Sequence, residues 1–270
     1  MNTMETGSIQ GYWDETSASY DEIFTNTVIG RAERDAVWRE VDEVFEGGQR
    51  VLELNCGTGV DALYLAGRGV RVLACDLSPG MIAMAGRRLE ASPVRGLVEF
   101  RVLPTEEIGA LAAEGPFDGA FSDFAGLNCV PDLAGVARDL GRLMRPGARA
   151  LFCMLGRYAP WNMARYLAHG ELRKATERLR SAGMVRHFAD GSAQRVHCPS
   201  PGAIARTFAS EFRLRKLTGV GISLPPTFME PWAARLPRLF ESLARADRGL
   251  GRVPLLRALA GHVLLQFERV

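Results

Sequence analysis

The residues best equipped for chemistry lie in positions 51–81, VLELNCGTGVDALYLAGRGVRVLACDLSPGM. Two apolar runs flank a glycine-rich turn, with one carboxylate inside the first run (Glu53) and another closing the second (Asp76). Gly57 and Gly59 let backbone approach a ligand where a side chain would block it, and the helix that follows presents free N–H groups. Asp76, 17 residues past Gly59, can accept hydrogen bonds from both hydroxyls of a ribose. That much suits any adenosine cofactor. Gly57, Gly59 and Ala62 also satisfy GxGxxG/A, so the glycines alone admit a dinucleotide. Glu53 separates the alternatives, because a pyrophosphate gains nothing from a nearby carboxylate whereas a ligand with ammonium and sulfonium charge does.

These residues need strands to hold them. Val51 to Leu54 reads as a strand, and Ala62, Leu63, Leu65 and Ala66 as the helix after the turn. Val70 to Cys75 is a second buried strand, followed by Ser78 as N-cap and Pro79 as first helical residue of a helix carrying Met81, Ile82, Met84 and Leu89. LVEFRVL (97–103) and TEEIGALAAEG form a third unit. FDGAFSDF (117–124) and PDLAGVARDLGRLMRPG form a fourth, leading into ARALFCML (148–155). This alternation implies an α/β fold with a doubly wound parallel sheet and right-handed crossovers. Ligands then sit beyond the carboxyl ends of the strands, so the turn after the first strand and the end of the second share one site.

Other segments stand outside the alternation. Residues 1–45 look helical, with Val28, Ala32, Ala36, Val37, Val41 and Val44 on a rough stripe. After the fifth strand comes a long basic helix, WNMARYLAHGELRKATERLR, then the helix SPGAIARTFASEF, a sixth strand FRLRKLTGVG, a proline-rich helical stretch and a final strand HVLLQFERV (262–270). We expect one domain, 46–270, covered by an N-terminal helical lid (1–45) and by lid insertions at about 156–200 and 222–258.

Composition narrows the partners. A net charge of +2 from 33 basic and 31 acidic residues gives no reason to expect nucleic acid or an anionic membrane. No apolar run approaches the roughly 20 residues of a membrane span. The five cysteines, Cys56, Cys75, Cys129, Cys153 and Cys198, show no CxxC spacing, so neither a disulfide framework nor a metal site is indicated. A cytoplasmic location is expected, and the N-terminus is too polar for a signal peptide.

The motifs jointly resemble those of the class I S-adenosylmethionine-dependent methyltransferases. ELNCGTG resembles that family's glycine-rich first motif and CDLSPGM its second; FDGAFSDF, LMRPGARALF and HVLLQFERV match its fourth, fifth and last strands. The resemblance implies a Rossmann-like, mostly parallel seven-stranded sheet with an antiparallel last strand, and S-adenosyl-L-methionine as cofactor, released as S-adenosyl-L-homocysteine. It puts Glu53, Gly57 and Gly59 at the methionyl end, Asp76 on the ribose, and Leu77 and Met81 against adenine. Thr105 or Glu106 would lie near the adenine amino edge, Ser122 beside the cofactor, and Tyr20 in SASYDEIF would be a lid tyrosine. Asn55 stands where relatives have the first glycine, and asparagine tolerates the positive φ that such a turn needs. Pro104 replaces an acid that often follows the third strand.

The resemblance also implies methyl transfer to a small-molecule acceptor, by in-line displacement at oxygen or nitrogen. A base near a hydroxyl acceptor helps by about 10²–10⁴-fold. Asp123, just past the fourth strand, is the first candidate, with capping of the next helix as its structural alternative; His197 is the reserve. The aromatic lid residues, among them Trp13, Phe24, Trp161 and Phe228, suit a planar or greasy molecule and equally suit plain packing. The protein is expected to be a monomer or homodimer. Rival readings are an NAD(P)-dependent oxidoreductase, which Glu53 and LSPGM disfavour, and a non-catalytic S-adenosylmethionine-binding regulator.

Overall fold

In the computed structural model, which describes residues 4–188 and 191–270 (4–9 by backbone only), the chain opens with helices Met4–Thr16 (α1) and Val28–Val44 (α2), joined through a π-helical turn at Asp21–Thr25. Arg50–Leu54 (β1), Val60–Gly67 (α3), Arg71–Asp76 (β2), Pro79–Glu90 (α4) and Val98–Val102 (β3) follow. After a 3₁₀ segment, Thr105–Ala113, come Phe117–Ser122 (β4), Leu133–Leu143 (α5) and Met144–Leu155 (β5). Beyond these lie Pro160–Ala168 (α6), Leu172–Ala175 (α7), a hairpin of Met184–His187 (β6) and Ala193–Val196 (β7), then Pro201–Phe208 (α8) and Phe212–Val220 (β8). Glu230–Arg235 (α9), Pro237–Leu250 (α10) and His262–Arg269 (β9) complete the chain. Seven strands form one sheet in the order β3-β2-β1-β4-β5-β9-β8, in which β9 runs antiparallel to both neighbours. This is the doubly wound sheet expected, with its crossing point between β1 and β4.

The pleat decides what reaches the site. Along β1, Leu52 and Leu54 face a core layer shared with Phe117, Phe152, Phe208 and Phe267, where each buried ring contributes about 2–3 kcal/mol. Val51 points the other way, into a layer with Phe121, Leu151 and Cys153 beneath α2 and α3. Glu53 shares Val51's parity and is registered with Phe121. Asp123, two residues past Phe121, continues that face. Alternation therefore delivers both acids to one side of the sheet, under α2.

Helix starts follow the expected chemistry. Ser78 Oγ accepts from Met81 N at 3.0 Å, with Pro79 at the first turn of α4. Asp132 and Ser200 likewise cap α5 and α8.

Four expectations need correction. The basic stretch from Trp161 does not form one helix: Gly170, at φ 73°, ends α6, and α7 lasts four residues. The segment after β3 is 3₁₀ rather than α-helical. The β6–β7 hairpin was not anticipated, although the Asp190-Gly191 dipeptide between short alternating runs is its sequence signal. The buried face of α2 is Ile29, Glu33, Arg34, Val37, Glu40, Val41 and Val44, so three charged residues occupy stripe positions. Each is partnered: Glu33 faces His262, Arg34 pairs with Asp61, and Glu40 pairs with Lys216 of β8 at 2.7 Å.

The C-terminal insertion is fastened by two acids. Glu230 accepts the free N–H groups of Val28 and Ile29 at the start of α2, at 2.6 and 3.0 Å. Asp247, 2% exposed, accepts from the backbone N–H of Gly221, Ile222 and Ser223 at 2.7–2.8 Å.

Candidate cofactor and acceptor site

The turn after β1 is built from left-handed residues: Asn55 at φ 56°, Gly57 at 52° and Gly59 at 75°. The two glycines do different work. A Cβ on Gly57 would meet nothing within 4 Å, so its missing side chain leaves open space beside Asp76. A Cβ on Gly59 would lie 2.5 Å from Phe100 Cζ and 2.8 Å from Ala85 Cβ, so this glycine lets the turn pack on β3 and α4. Asn55 takes the strained position on an asparagine's tolerance, and its Oδ1 accepts from Ser122 Oγ at 3.3 Å.

Asp76 ends β2 with Oδ2 accepting from Gly57 N and Oδ1 from Ser78 N, both at 2.9 Å. Each oxygen keeps a further lone pair. Burial raises its pKa above the usual carboxylate range, and the backbone donors of Ser78, Gly57 and Leu77 oppose that rise.

A cavity of about 340 Å³ opens at this point, within the range of small-ligand sites. Tyr20, Gly57, Asp76, Leu77, Met81, Asp123, Phe124, Leu155 and Phe188 are among the residues that line it. The N-terminal helix and the hairpin meet over it, where Tyr12 stacks on Phe188 with centroids 3.6 Å apart. Asp14 of α1 accepts from Gly80 N at 2.8 Å and from Ser78 Oγ, fixing α1 to the start of α4. Asp21 accepts from Thr58 Oγ1 at 2.8 Å and pairs with Arg88, fixing the π-helical turn to the glycine turn.

Beneath the cavity lies a buried charge cluster. Arg34 pairs with Asp61, both under 7% exposed, and Trp38 Nε1 donates to Asp61 Oδ1 at 2.7 Å. The Arg34 guanidinium lies 4.9 Å from the Phe124 ring centroid. Burial opposes its charge, but Asp61 and Asp123 together outweigh that and raise its pKa. Glu53 and Asp123 are pushed well above the usual carboxylate range, first by burial and then by Asp61, with Arg34 pulling the other way. Burial likewise pushes the Tyr20 hydroxyl up to about 12. Glu53 Oε2 and Asp123 Oδ2 are buried without a hydrogen-bond partner. Three acids (Glu53, Asp61 and Asp123) thus surround one guanidinium.

Of the residues expected at a site, Tyr20, Asn55, Gly57, Asp76, Leu77, Met81 and Asp123 share the cavity wall. Glu53, 1% exposed, lies behind that wall within the charge cluster. Gly59 and Ser122 support the turn from outside the wall. Thr105 is buried and Glu106 exposed, and neither lines the cavity. His197 N donates to the Asn128 carbonyl at 2.7 Å, its own carbonyl accepts from Asn128 Nδ2 at 2.6 Å, and it stands against Gly183, away from the wall. Sequence reasoning missed Arg34, Asp61 and Phe188. A charged residue in an apolar helical stripe was the available signal for Arg34; nothing local marks Asp61 as its partner.

The acids and their orphan oxygens fit a ligand with positive charge at one end and a nucleoside at the other. Fold and site together define an adenosyl-cofactor domain on a doubly wound sheet. Residues 51–147 match a methyltransferase domain model. A demethylmenaquinone methyltransferase of Mycobacterium sp. (strain KMS) is 30% identical over 238 residues, covering 83% of this chain and 94% of that protein. Another from Clavibacter sepedonicus is 33% identical over 153 residues, covering 54% of this chain; the chain spans little more than half of that relative, 58%. Among solved structures, the CcbJ methyltransferase from Streptomyces caelestis shares the fold at a TM-score of 0.58 and 15% identity, over 88% of this chain and 95% of that one. The chain belongs to the class I S-adenosylmethionine-dependent methyltransferases.

Proposed function

We propose that this chain methylates a small planar aromatic acceptor at a hydroxyl oxygen, with Asp123 as general base. The supporting observation is Asp123 itself: it lines the cavity, and its Oδ2 is buried without a hydrogen-bond partner. The quinone named for the mycobacterial and Clavibacter relatives contains a planar ring system, which supports a planar acceptor.

Bound S-adenosylmethionine supplies a methyl group already activated on a sulfonium. The residues have to align, dry and deprotonate the acceptor. Asp76 holds the ribose hydroxyls, Leu77 and Met81 pack the adenine, and Gly57 leaves room for the backbone contact. Tyr20 and Trp13 cover the cofactor side. Glu53, Asp61 and Arg34 set the charge at the methionyl end, matching ammonium to acid and carboxylate to guanidinium. Phe124, Leu155 and Phe188 hold the acceptor ring against Asp123. Oδ1 of Asp123 accepts from Phe124 N at 2.8 Å, which leaves Oδ2 as the oxygen without a hydrogen-bond partner. A raised pKa makes this carboxylate a stronger base than an exposed one. Residues 1–45 and the insertions at about 156–200 and 222–258 act as the lid that excludes water.

No helix among the described residues is long and apolar enough to cross a membrane. All five cysteines are free thiols, which supports the reducing cytoplasm as the protein's location. The test is Asp123→Asn with 2-naphthol and related phenols. Release of S-adenosylhomocysteine should fall about 10²–10⁴-fold while affinity for S-adenosylhomocysteine stays within about twofold. Undiminished turnover would remove Asp123 from the role of base.

A further inference from the structure

A second chamber of about 330 Å³ adjoins the first, and Leu155, Arg178 and Arg186 stand in the walls of both. Its character differs from that of the first. Arg165, Arg178 and Arg186 bring three guanidiniums to it, against one carboxylate, Glu33. Glu33 is 4% exposed, has Oε1 3.6 Å from His262 Nδ1, and acts on Arg178 less than Arg186 does. Arg165 lies over the Phe228 ring at 4.1 Å. Arg178 directs Nη1 at the carbonyls of Gly156 (3.0 Å) and Gly261 (3.5 Å). Among the described residues, none of the three arginines forms an ion pair.

A guanidinium taken partly out of water with only carbonyls beside it lacks the compensation that buried charges normally have. Burial lowers the pKa of Arg178, and neighbouring Arg186 adds to that through repulsion. An anion at the junction of the two chambers would relieve both effects, because a carboxylate matches the fork of a guanidinium and takes charge-assisted hydrogen bonds from it.

We propose that Arg178 and Arg186 form an anion subsite, and that the acceptor is an aromatic hydroxy acid whose ring lies in the first chamber and whose carboxylate lies between these guanidiniums. The inference rests on the methyl-transfer reading above and narrows its substrate class. It accounts for two chambers of opposite character sharing a wall, which a purely apolar acceptor leaves unused. Loss of either guanidinium then weakens acids and leaves neutral phenols unaffected.

The experiment is calorimetric titration of the full chain, preloaded with S-adenosylhomocysteine, with 3-hydroxy-2-naphthoate and with 2-naphthol, which differ by the carboxylate alone. The acid should bind about tenfold or more tightly than the phenol. Arg186→Gln and Arg178→Gln should each bring the ratio towards one without weakening 2-naphthol. Arg186 is exposed, so its variant keeps the test independent of any effect of Arg178 on folding. Equal binding of the two probes, or a ratio that survives Arg186→Gln, would overturn the subsite. Failure of S-adenosylhomocysteine to bind at the preloading step would instead overturn the cofactor reading beneath it.

Discussion

Replacing Arg34 with methionine keeps much of the side chain's volume and removes the single cation of the buried cluster. The guanidinium pairs with Asp61, and both residues are under 7% exposed. Removing one partner of such a pair costs about 3–5 kcal/mol because the other charge is left uncompensated. The loss has a ceiling set by protonation. A carboxylate in water gives up its charge at about 1.4 kcal/mol per pH unit above its ordinary range, so any one acid can escape for about 4 kcal/mol at pH 7 and about 1.5 kcal/mol at pH 5. Arg34 also restrains the rise of Glu53 and Asp123, whose pKa values already stand well above normal. Without Arg34 they rise further. An acid with a raised folded-state pKa contributes stability that is present below its unfolded value and lost as pH climbs through the folded one. The destabilisation by Arg34→Met should therefore be about 4 kcal/mol near pH 7 and shrink to about 1–2 kcal/mol at pH 5. Urea unfolding of the native chain and the variant at both pH values measures it. A cost that is equal at the two pH values, or that grows on acidification, would refute the cluster as described.

Gly59→Ala places a Cβ against Phe100 and Ala85 at a positive φ and should cost about 2–4 kcal/mol of stability. Gly57→Ala meets open space, so it should cost only about 1 kcal/mol yet weaken S-adenosylhomocysteine binding by about tenfold or more; thermal unfolding and calorimetry on the two variants would show the opposite pattern if the roles were reversed. Asp247→Ala strips the acceptor from three backbone N–H groups and should lower Tm by roughly 8 °C, from a loss of about 3 kcal/mol. An unchanged Tm would mean that the 221–224 loop holds itself.

The sheet was legible because its strands are buried on both faces, so β1, β2, β4 and β5 read as apolar runs broken by the turn chemistry of Gly57, Ser78 and Pro146. The part of the cavity wall formed by the glycine turn and the end of β2 was legible because both are local features. What escaped depends on contacts between distant segments. Arg34 and Asp61 are 27 residues apart, and an arginine within a helix reads as solvated until the fold shows it buried. Gly59 and Ser122 have the expected residue types, but their partners turn out to be Phe100 and Asn55. His197 has suitable chemistry but different neighbours, because hydrogen bonds with the Asn128 backbone and side-chain amide hold its backbone away from the wall. The broken basic helix shows how one glycine, Gly170, outweighs the helical propensity of the residues around it.

The most direct test of the account is calorimetric titration of the purified chain with S-adenosylhomocysteine, NADH and NADPH, repeated on Asp76→Ala. Micromolar binding of S-adenosylhomocysteine that Asp76→Ala abolishes, with no heat from either nicotinamide cofactor, is the predicted result. Binding of NADH or NADPH, or binding of S-adenosylhomocysteine indifferent to Asp76, would contradict the assignment of the glycine turn and of the acid that closes β2.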